Sequence, residues 1–315
     1  MFRPYAQLVR LPNLPSALAD IGLGGLATGA LLALPGRWPA FVLLLLASAC
    51  LYMGGMVWND YFDVAQDARE RPHRPIPSGR VSRRRAGQLG VVLLTSGVAL
   101  ALLAGGALRL ADPAASPVLP PAVAVVLAAA VLAYDGWLKL TWLGPVVMGS
   151  CRFLNVLLGV SLAGSLAWPV GTHLALVVGL YIVGVTWFAR TEARASNQSA
   201  LAGAAAVMLA ALILAVPLPL GRAALPVERP EEGVASPLFL PLLVALGFVV
   251  GLPVCRAIAS PTPPRVQAGV KRALVGLILL DAVLASATAG TVGLVLLVLL
   301  VPSLYLNRKR WLYAT

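Results

Sequence analysis

The chain has 315 residues, of which 59% are hydrophobic and 11% charged, against about 25% charged in an ordinary soluble domain; with a mean hydropathy of +0.88 this excludes a soluble globular protein and places most of the chain in lipid. The net charge is +12, but the positive residues sit in short loops between apolar runs, which sets membrane orientation and argues against a nucleic-acid partner. Cys50, Cys151 and Cys255 are widely separated without CxxC spacing, and His73 and His173 are isolated, so neither a disulfide or zinc framework nor a histidine metal site is implied.

The N-terminal segment, residues 1–16, has no signal-cleavage pattern, so the first apolar run is expected to be retained. Runs of spanning or nearly spanning length fall at about 14–35, 38–58, 86–110, 117–138, 143–166, 170–190, 199–220, 236–257, 268–288 and 290–306, a span needing roughly 20 residues. The last two runs fit either two spans or one long hairpin or re-entrant pair. Gly and Ala are dense from Gly22 to Gly29 and from Ala202 to Ala211, and small residues let helices approach closely.

With the N-terminus in the cytoplasm, ten spans bring the main basic clusters to one side. These are Arg3 and Arg10, Arg69 to Arg85, Lys139, Arg190 and Arg194, Arg256 to Arg272, and Arg308 to Arg310. Nine spans would strand Arg308 to Arg310 outside. The favoured expectation is therefore ten spans in a cell membrane, with both termini inside.

An internal repeat crosses this layout. Leu51-Tyr52-Met53-Gly54-Gly55-Met56-Val57-Trp58 aligns with Leu180-Tyr181-Ile182-Val183-Gly184-Val185-Thr186-Trp187 at an offset of 129 residues, and the same offset sets Asp63 on Glu192. Either biased composition produces this match, or two related helix groups deliver acidic motifs to one membrane face.

The densest chemistry lies between Asn59 and Gly79. Asn59, Asp63 and Asp67 are spaced i, i+4, i+8, which on a helix gives one oxygen-rich face. Such a face suits Mg²⁺, which takes a few carboxylates, waters and substrate phosphate oxygens. The arginines that follow, Arg69, Arg71 and Arg74, suit a phosphate. Together they suggest a phosphorylated or diphosphorylated lipid at the membrane surface; the bland alternative is a solvated charged loop with no ligand.

The run Asn59-Asp60-Tyr61-Phe62-Asp63, then Asp67, then Arg71-Pro72-His73-Arg74-Pro75-Ile76-Pro77-Ser78-Gly79 resembles the first aspartate-rich motif of the UbiA-type intramembrane prenyltransferases. Tyr134 and Lys139, at the end of the fourth run, agree with it. The resemblance covers the whole chain in layout and about 25 residues in detail. It implies a single domain over residues 1–315, an all-α polytopic membrane protein of nine to ten transmembrane helices around a central cavity, with a pseudo-repeat of helix groups.

It also implies an Mg²⁺-dependent transfer of a polyprenyl group from a prenyl diphosphate to a small aromatic or polar acceptor. Membrane lipid would be the other partner. Asn59, Asp63 and Asp67 would be metal ligands, with Asp63 and Asp67 also counted as catalytic. Arg71, Arg74 and Lys139 would contact the diphosphate. Arg10 would do the same and Asn13 would line the cavity, unless they are a positive-inside anchor and a helix cap.

The second acidic motif departs from the family pattern. Glu192 takes the first acid position, Ser196 stands where the second acid belongs, and Asn197 is a nearby oxygen donor. Glu192 is thus either a metal ligand or an ion-pair partner of Arg190 or Arg194. Of the polar residues inside apolar runs, Asp20, Asp135, Arg152, Asn155 and Asp281, Arg152 and Asn155 share a face and either bind the acceptor or form a buried pair. Asp135 is a candidate base. Tyr52, Trp58, Tyr181 and Trp187 either shield a carbocation or anchor the interface. Phosphosugar transfer to a polyprenyl phosphate, prenyl diphosphate cyclisation, and a transporter or scaffold are the alternative functions.

Overall fold

A computed structural model describes residues 2–33, 35–190, 197–220 and 236–309. Every regular element among them is helical. In chain order these are α1 (Phe2–Leu8), α2 (Leu14–Ala27), α3 (Ala30–Ala33), α4 (Trp38–Phe62), α5 (Val64–Glu70), α6 (Arg83–Ala111), α7 (Leu119–Gly136), α8 (Gly144–Val160), α9 (Val170–Ala189), α10 (Gln198–Ala215), α11 (Phe239–Ala259), α12 (Pro263–Ala289) and α13 (Leu300–Asn307). Among the described residues eight helical stretches are long and apolar enough to cross a membrane, as an integral multi-pass protein requires.

The count differs from the nine to ten expected at two places. The first run forms α2, only 14 residues long. The last two runs form one continuous helical stretch, Pro263–Asn307. It reverses at Gly290, whose φ of 67° a residue with a Cβ adopts only under strain. The reversal is visible at both ends: Ser286 accepts from the Ser236 amide just before α11, and Ser303 Oγ donates to Pro12 O beside the N-terminal turn. The hairpin reading therefore describes this segment.

α2 is short because it is the axis of the bundle and never meets lipid. All its residues but Leu14 and Leu18 are buried, against α4, α8, α12 and residues 290–299. Its glycines allow this. A Cβ on Gly24 would lie 2.3 Å from the Gly159 carbonyl carbon and the Val160 nitrogen, and one on Gly159 would lie 2.7 Å from Ile21 Cα. The two backbones touch, as small residues permit in membrane bundles. Gly24→Ala should therefore cost about 1–3 kcal/mol by overpacking, read as a lower apparent melting temperature of the detergent-solubilised protein. An unchanged temperature would refute the close crossing.

The two aligned segments lie on α4 and α9. Gly55 and Gly184 both sit at helix crossings, facing Val131 of α7 and Ala204 and Met208 of α10 respectively. Both motif-bearing helices, α4 and α9, end on the same side. Lys139, in the turn after α7, meets Asp63, and Arg190, after α9, bonds the Thr141 carbonyl in that same turn.

At the opposite end Arg37 is buried. It donates to Leu162 O at 2.7 Å and to Asp112 Oδ2 at 2.6 Å.

Candidate active site

The polar end of the bundle is built where α4 stops. The helix breaks at Asp63 (φ −84°, ψ 3°) and α5 restarts at Val64. The four-residue ladder survives the break, with the Asp63 amide on Asn59 O at 3.1 Å and the Asp67 amide on Asp63 O at 2.8 Å. Pro72, Pro75 and Pro77 then forbid further helix, and residues 71–79 turn back toward α4. Arg80 ties that turn down, bonding the His73 carbonyl and donating to Gln7 Oε1 of α1 at 2.9 Å.

The turn carries Arg74 into the protein. Its Nη1 donates to Asp67 Oδ2 at 2.8 Å and lies 3.3 Å from Asp60 Oδ1. Arg10 arrives from the other side, held in the left-handed region at φ 48°. Its Nη2 donates to Asp60 Oδ1 at 3.0 Å and to Asn59 Oδ1 at 3.2 Å. Burial, the largest single effect, would lower the Arg10 pKa; Asp60, Tyr52 and Asp135 together outweigh it, the net direction is up, and the guanidinium stays charged.

Asn59 Nδ2 donates to Asp135 Oδ1 at 3.0 Å. The amide has one orientation available, since Arg10 can only donate and a carboxylate can only accept. Lys139 Nζ sits 2.5 Å from Asp63 Oδ1.

Beneath this cluster lies a second network. Arg152 donates to Asp20 Oδ2 at 2.9 Å and to Ser16 Oγ at 2.8 Å, and its guanidinium lies over the Tyr52 ring, 6.0 Å from the centroid. Asn155 donates to Asp20 Oδ2 at 2.8 Å and to Ala17 O, and accepts from Ser48 Oγ at 2.8 Å. Arg10, Asn13, Tyr52, Asp63 and Arg152 all keep partial exposure.

Set against the sequence, the structure brings Arg10, Asn59, Asp63, Asp67, Arg74, Asp135 and Lys139 together. Asn59, Asp63 and Asp67 turn to Asp135, Lys139 and Arg74 respectively. Among the described residues no three His, Cys, Asp or Glu side chains converge as a metal cluster. Arg74 is buried on two acids, whereas Arg71 is half-buried with no ion pair among the described residues.

Arg152 and Asn155 take the buried-pair arrangement. Asn13 makes no side-chain cap bond but lies within hydrogen-bond reach of Tyr52. Asn197 caps α10 instead, accepting from the Ser199 amide at 2.9 Å. Tyr181 is fully buried with its hydroxyl on Ala273 O. Glu192 and Ser196 lie outside the described residues.

Asp60 was missed. It sits one residue off the i, i+4 series, yet Asp60 and Asp67 are seven apart, two turns of one face, and Arg74 follows seven residues later. That spacing was the signal.

The charge balance shows what the cluster can hold. Asp60, Asp63, Asp67 and Asp135 face Arg10, Arg74 and Lys139. Asp60, Asp63 and Asp67 are matched by Arg10, Arg74 and Lys139, so these three cations are already paired before any substrate arrives. The cluster's donors are carboxylate and amide oxygens, the set that Mg²⁺ prefers. Asp63 is the most accessible of the three motif aspartates, with 21% of its side chain exposed.

Comparison with known proteins gives the same direction. A model of the UbiA prenyltransferase family matches residues 23–252. The digeranylgeranylglyceryl phosphate synthase of Methanothermobacter thermautotrophicus is 36% identical over 137 residues, 42% of this chain and 41% of that protein. The synthase of the same name from Methanopyrus kandleri is 39% identical over 99 residues, 31% of this chain and 35% of that protein. The match to these relatives thus spans well under half of their length.

Among solved structures, one concerning digeranylgeranylglyceryl phosphate synthase in membranes superposes with a TM-score of 0.62 at 18% identity, covering 92% of this chain and 99% of that one. A UbiA homologue from Archaeoglobus fulgidus bound to DMAPP and Mg²⁺ superposes with a TM-score of 0.56 at 16% identity, covering 87% and 98%. At these identities the likeness concerns the fold.

Proposed function

The chain belongs to the UbiA prenyltransferase family, and from that premise we propose that it is an intramembrane prenyltransferase, moving a prenyl group from a prenyl diphosphate to a small acceptor and releasing diphosphate. The observation that carries the reading is the acid-rich cluster of Asn59, Asp63 and Asp67 braced by Arg10, Arg74 and Lys139 at one end of an apolar bundle. The basic loops support a reading in which this end faces the cytoplasm from a cell membrane.

Asn59, Asp63 and Asp67 would hold Mg²⁺, with Glu192 as the contribution of the second motif. Mg²⁺ supplies positive charge against the departing diphosphate. Lys139 and Arg71 contact its oxygens from the protein side. Arg10 and Arg74 fix the acids, since their guanidinium groups are committed to Asp60 and Asp67. As the allylic C–O bond breaks, the acceptor nucleophile bonds the carbon and sheds its proton. Asp135, whose Oδ1 is committed to Asn59, has Oδ2 for that proton. The apolar walls keep water from the cationic carbon.

The test is product formation. Membranes containing the protein, incubated with prenyl diphosphates, Mg²⁺ and a panel of acceptors, should yield a prenylated acceptor by mass spectrometry. A glyceryl phosphate lipid heads the panel, because the relatives carry digeranylgeranylglyceryl phosphate in their name. Product without added acceptor would instead indicate cyclisation.

Asp135 has its own signature. Asp135→Ala removes the acceptor that fixes the Asn59 amide, so the Mg²⁺ concentration for half-maximal rate should rise about 10-fold or more. A lower kcat with unchanged Mg²⁺ dependence would assign Asp135 to proton removal alone.

A further inference from the structure

Asp281, in the middle of α12, is wholly buried, and neither of its oxygens meets a donor among the described residues. Within hydrogen-bond reach it faces the Asp20 carboxyl of α2, also wholly buried. Asp20 Oδ2 is saturated by Arg152 Nη1 at 2.9 Å and Asn155 Nδ2 at 2.8 Å, while its Oδ1 has no donor. Arg152 of α8 spends its other terminal nitrogen on Ser16 Oγ. Tyr181 of α9, the other titratable group beside Asp281, gives its hydroxyl to Ala273 O.

One guanidinium therefore faces two carboxyl groups, and three carboxyl oxygens lack any hydrogen. Two adjacent carboxylates in a low-dielectric interior do not both ionise; the pair shares a proton. A proton on Asp281 accounts for two of the three orphaned oxygens. It supplies the missing donor, pairs the orphaned Asp20 oxygen, and leaves one negative charge against Arg152.

We propose that Asp281 is a carboxylic acid in the folded protein, donating to Asp20 Oδ1, so that the Asp20–Asp281 pair is a proton-binding site that holds Arg152 in place. The site links three elements. The C-terminal hairpin bonds α2 through Asp281, and α2 bonds α8 through Asp20. Arg152 is thereby held over the Tyr52 ring. Asp281 is a positioning residue for Arg152, outside the diphosphate end.

The purified full chain in detergent tests this without substrate. Asp281→Asn keeps the shape and a donor, so its apparent melting temperature should stay within about 2 °C of the parent across neutral pH. The infrared carbonyl band of a protonated carboxyl should disappear in this variant. Asp20→Asn leaves Arg152 without its counter-charge and should fall by on the order of 10 °C. The proposal is overturned if the protonated-carboxyl band persists in Asp281→Asn, or if Asp281→Asn falls as far as Asp20→Asn. It is equally overturned if sodium stabilises the parent but not Asp281→Asn, because the pair would then hold a metal cation in the proton's place.

Discussion

Asp63→Ala should lower kcat/KM for prenyl transfer by about 10²–10³-fold while the protein remains folded, the scale seen when one pre-set charge-stabilising group is removed. Asp63 is the aspartate of the motif that structure does not need. It lies at the break between α4 and α5, keeps a fifth of its side chain in the open, and among the described residues its carboxylate has Lys139 as its one ion-pair partner. Deleting it leaves one ammonium, its nitrogen buried on a side chain 13% exposed, to move into the space that the carboxylate vacates. Asp60 differs, because two guanidinium groups converge on it. Asp63→Ala should therefore lose activity at nearly unchanged melting temperature, whereas Asp60→Ala loses the fold first. Product by mass spectrometry, with diphosphate release as a second readout, measures the effect. Unchanged turnover in folded Asp63→Ala would remove this residue from the catalytic machinery. Asp63→Asn, which keeps the volume, separates charge from shape and should fall nearly as far.

The sequence carried the architecture because a membrane bundle is written in long apolar runs and basic loops, both local signals. The close helix crossings were legible in the glycines of α2 for the same reason. The site was legible as a stretch but not as a geometry. The i, i+4, i+8 spacing assumed a continuous helix, but the chain breaks at the middle residue, and Asn59, Asp63 and Asp67 meet three different partners. No local rule foresees that break, since nothing between Tyr61 and Val64 is a helix breaker, and the partners of these three residues lie 7 to 76 positions away. Arg152 and Asn155 show the reverse case. Their shared face and the nearby choice of Asp20 were visible, but only the structure gives Asn155 both Ser48 and Asp20 as partners and so fixes it as a buried pair.

Arg74 and Arg71, read alike from the sequence, should part company when replaced. Arg74→Ala strips the charge from Asp67, whose side chain is 4% exposed, and leaves Asp60 with Arg10 alone. Breaking a buried pair from one side costs roughly 3–5 kcal/mol, because the remaining charge keeps its desolvation penalty. The variant should lose on the order of 10 °C in apparent melting temperature, or fail to accumulate. Arg74→Lys should not restore it, since an ammonium lacks the planar fork that spans two acids. Arg74→Ala combined with Asp67→Asn should recover part of the loss, because no unpaired charge then remains on α5, and the recovery measures their coupling. Arg71→Ala removes a half-buried cation with no ion pair among the described residues. It should leave the melting temperature within about 2 °C and raise KM for the prenyl diphosphate about 10-fold, one charge-assisted hydrogen bond's worth. If Arg74→Ala were stable and raised only KM, Arg74 would be a substrate contact that the acids merely hold between turnovers. The opposite pattern makes it the brace on which Asp60 and Asp67 depend, and leaves Arg71 and Lys139 to meet the diphosphate.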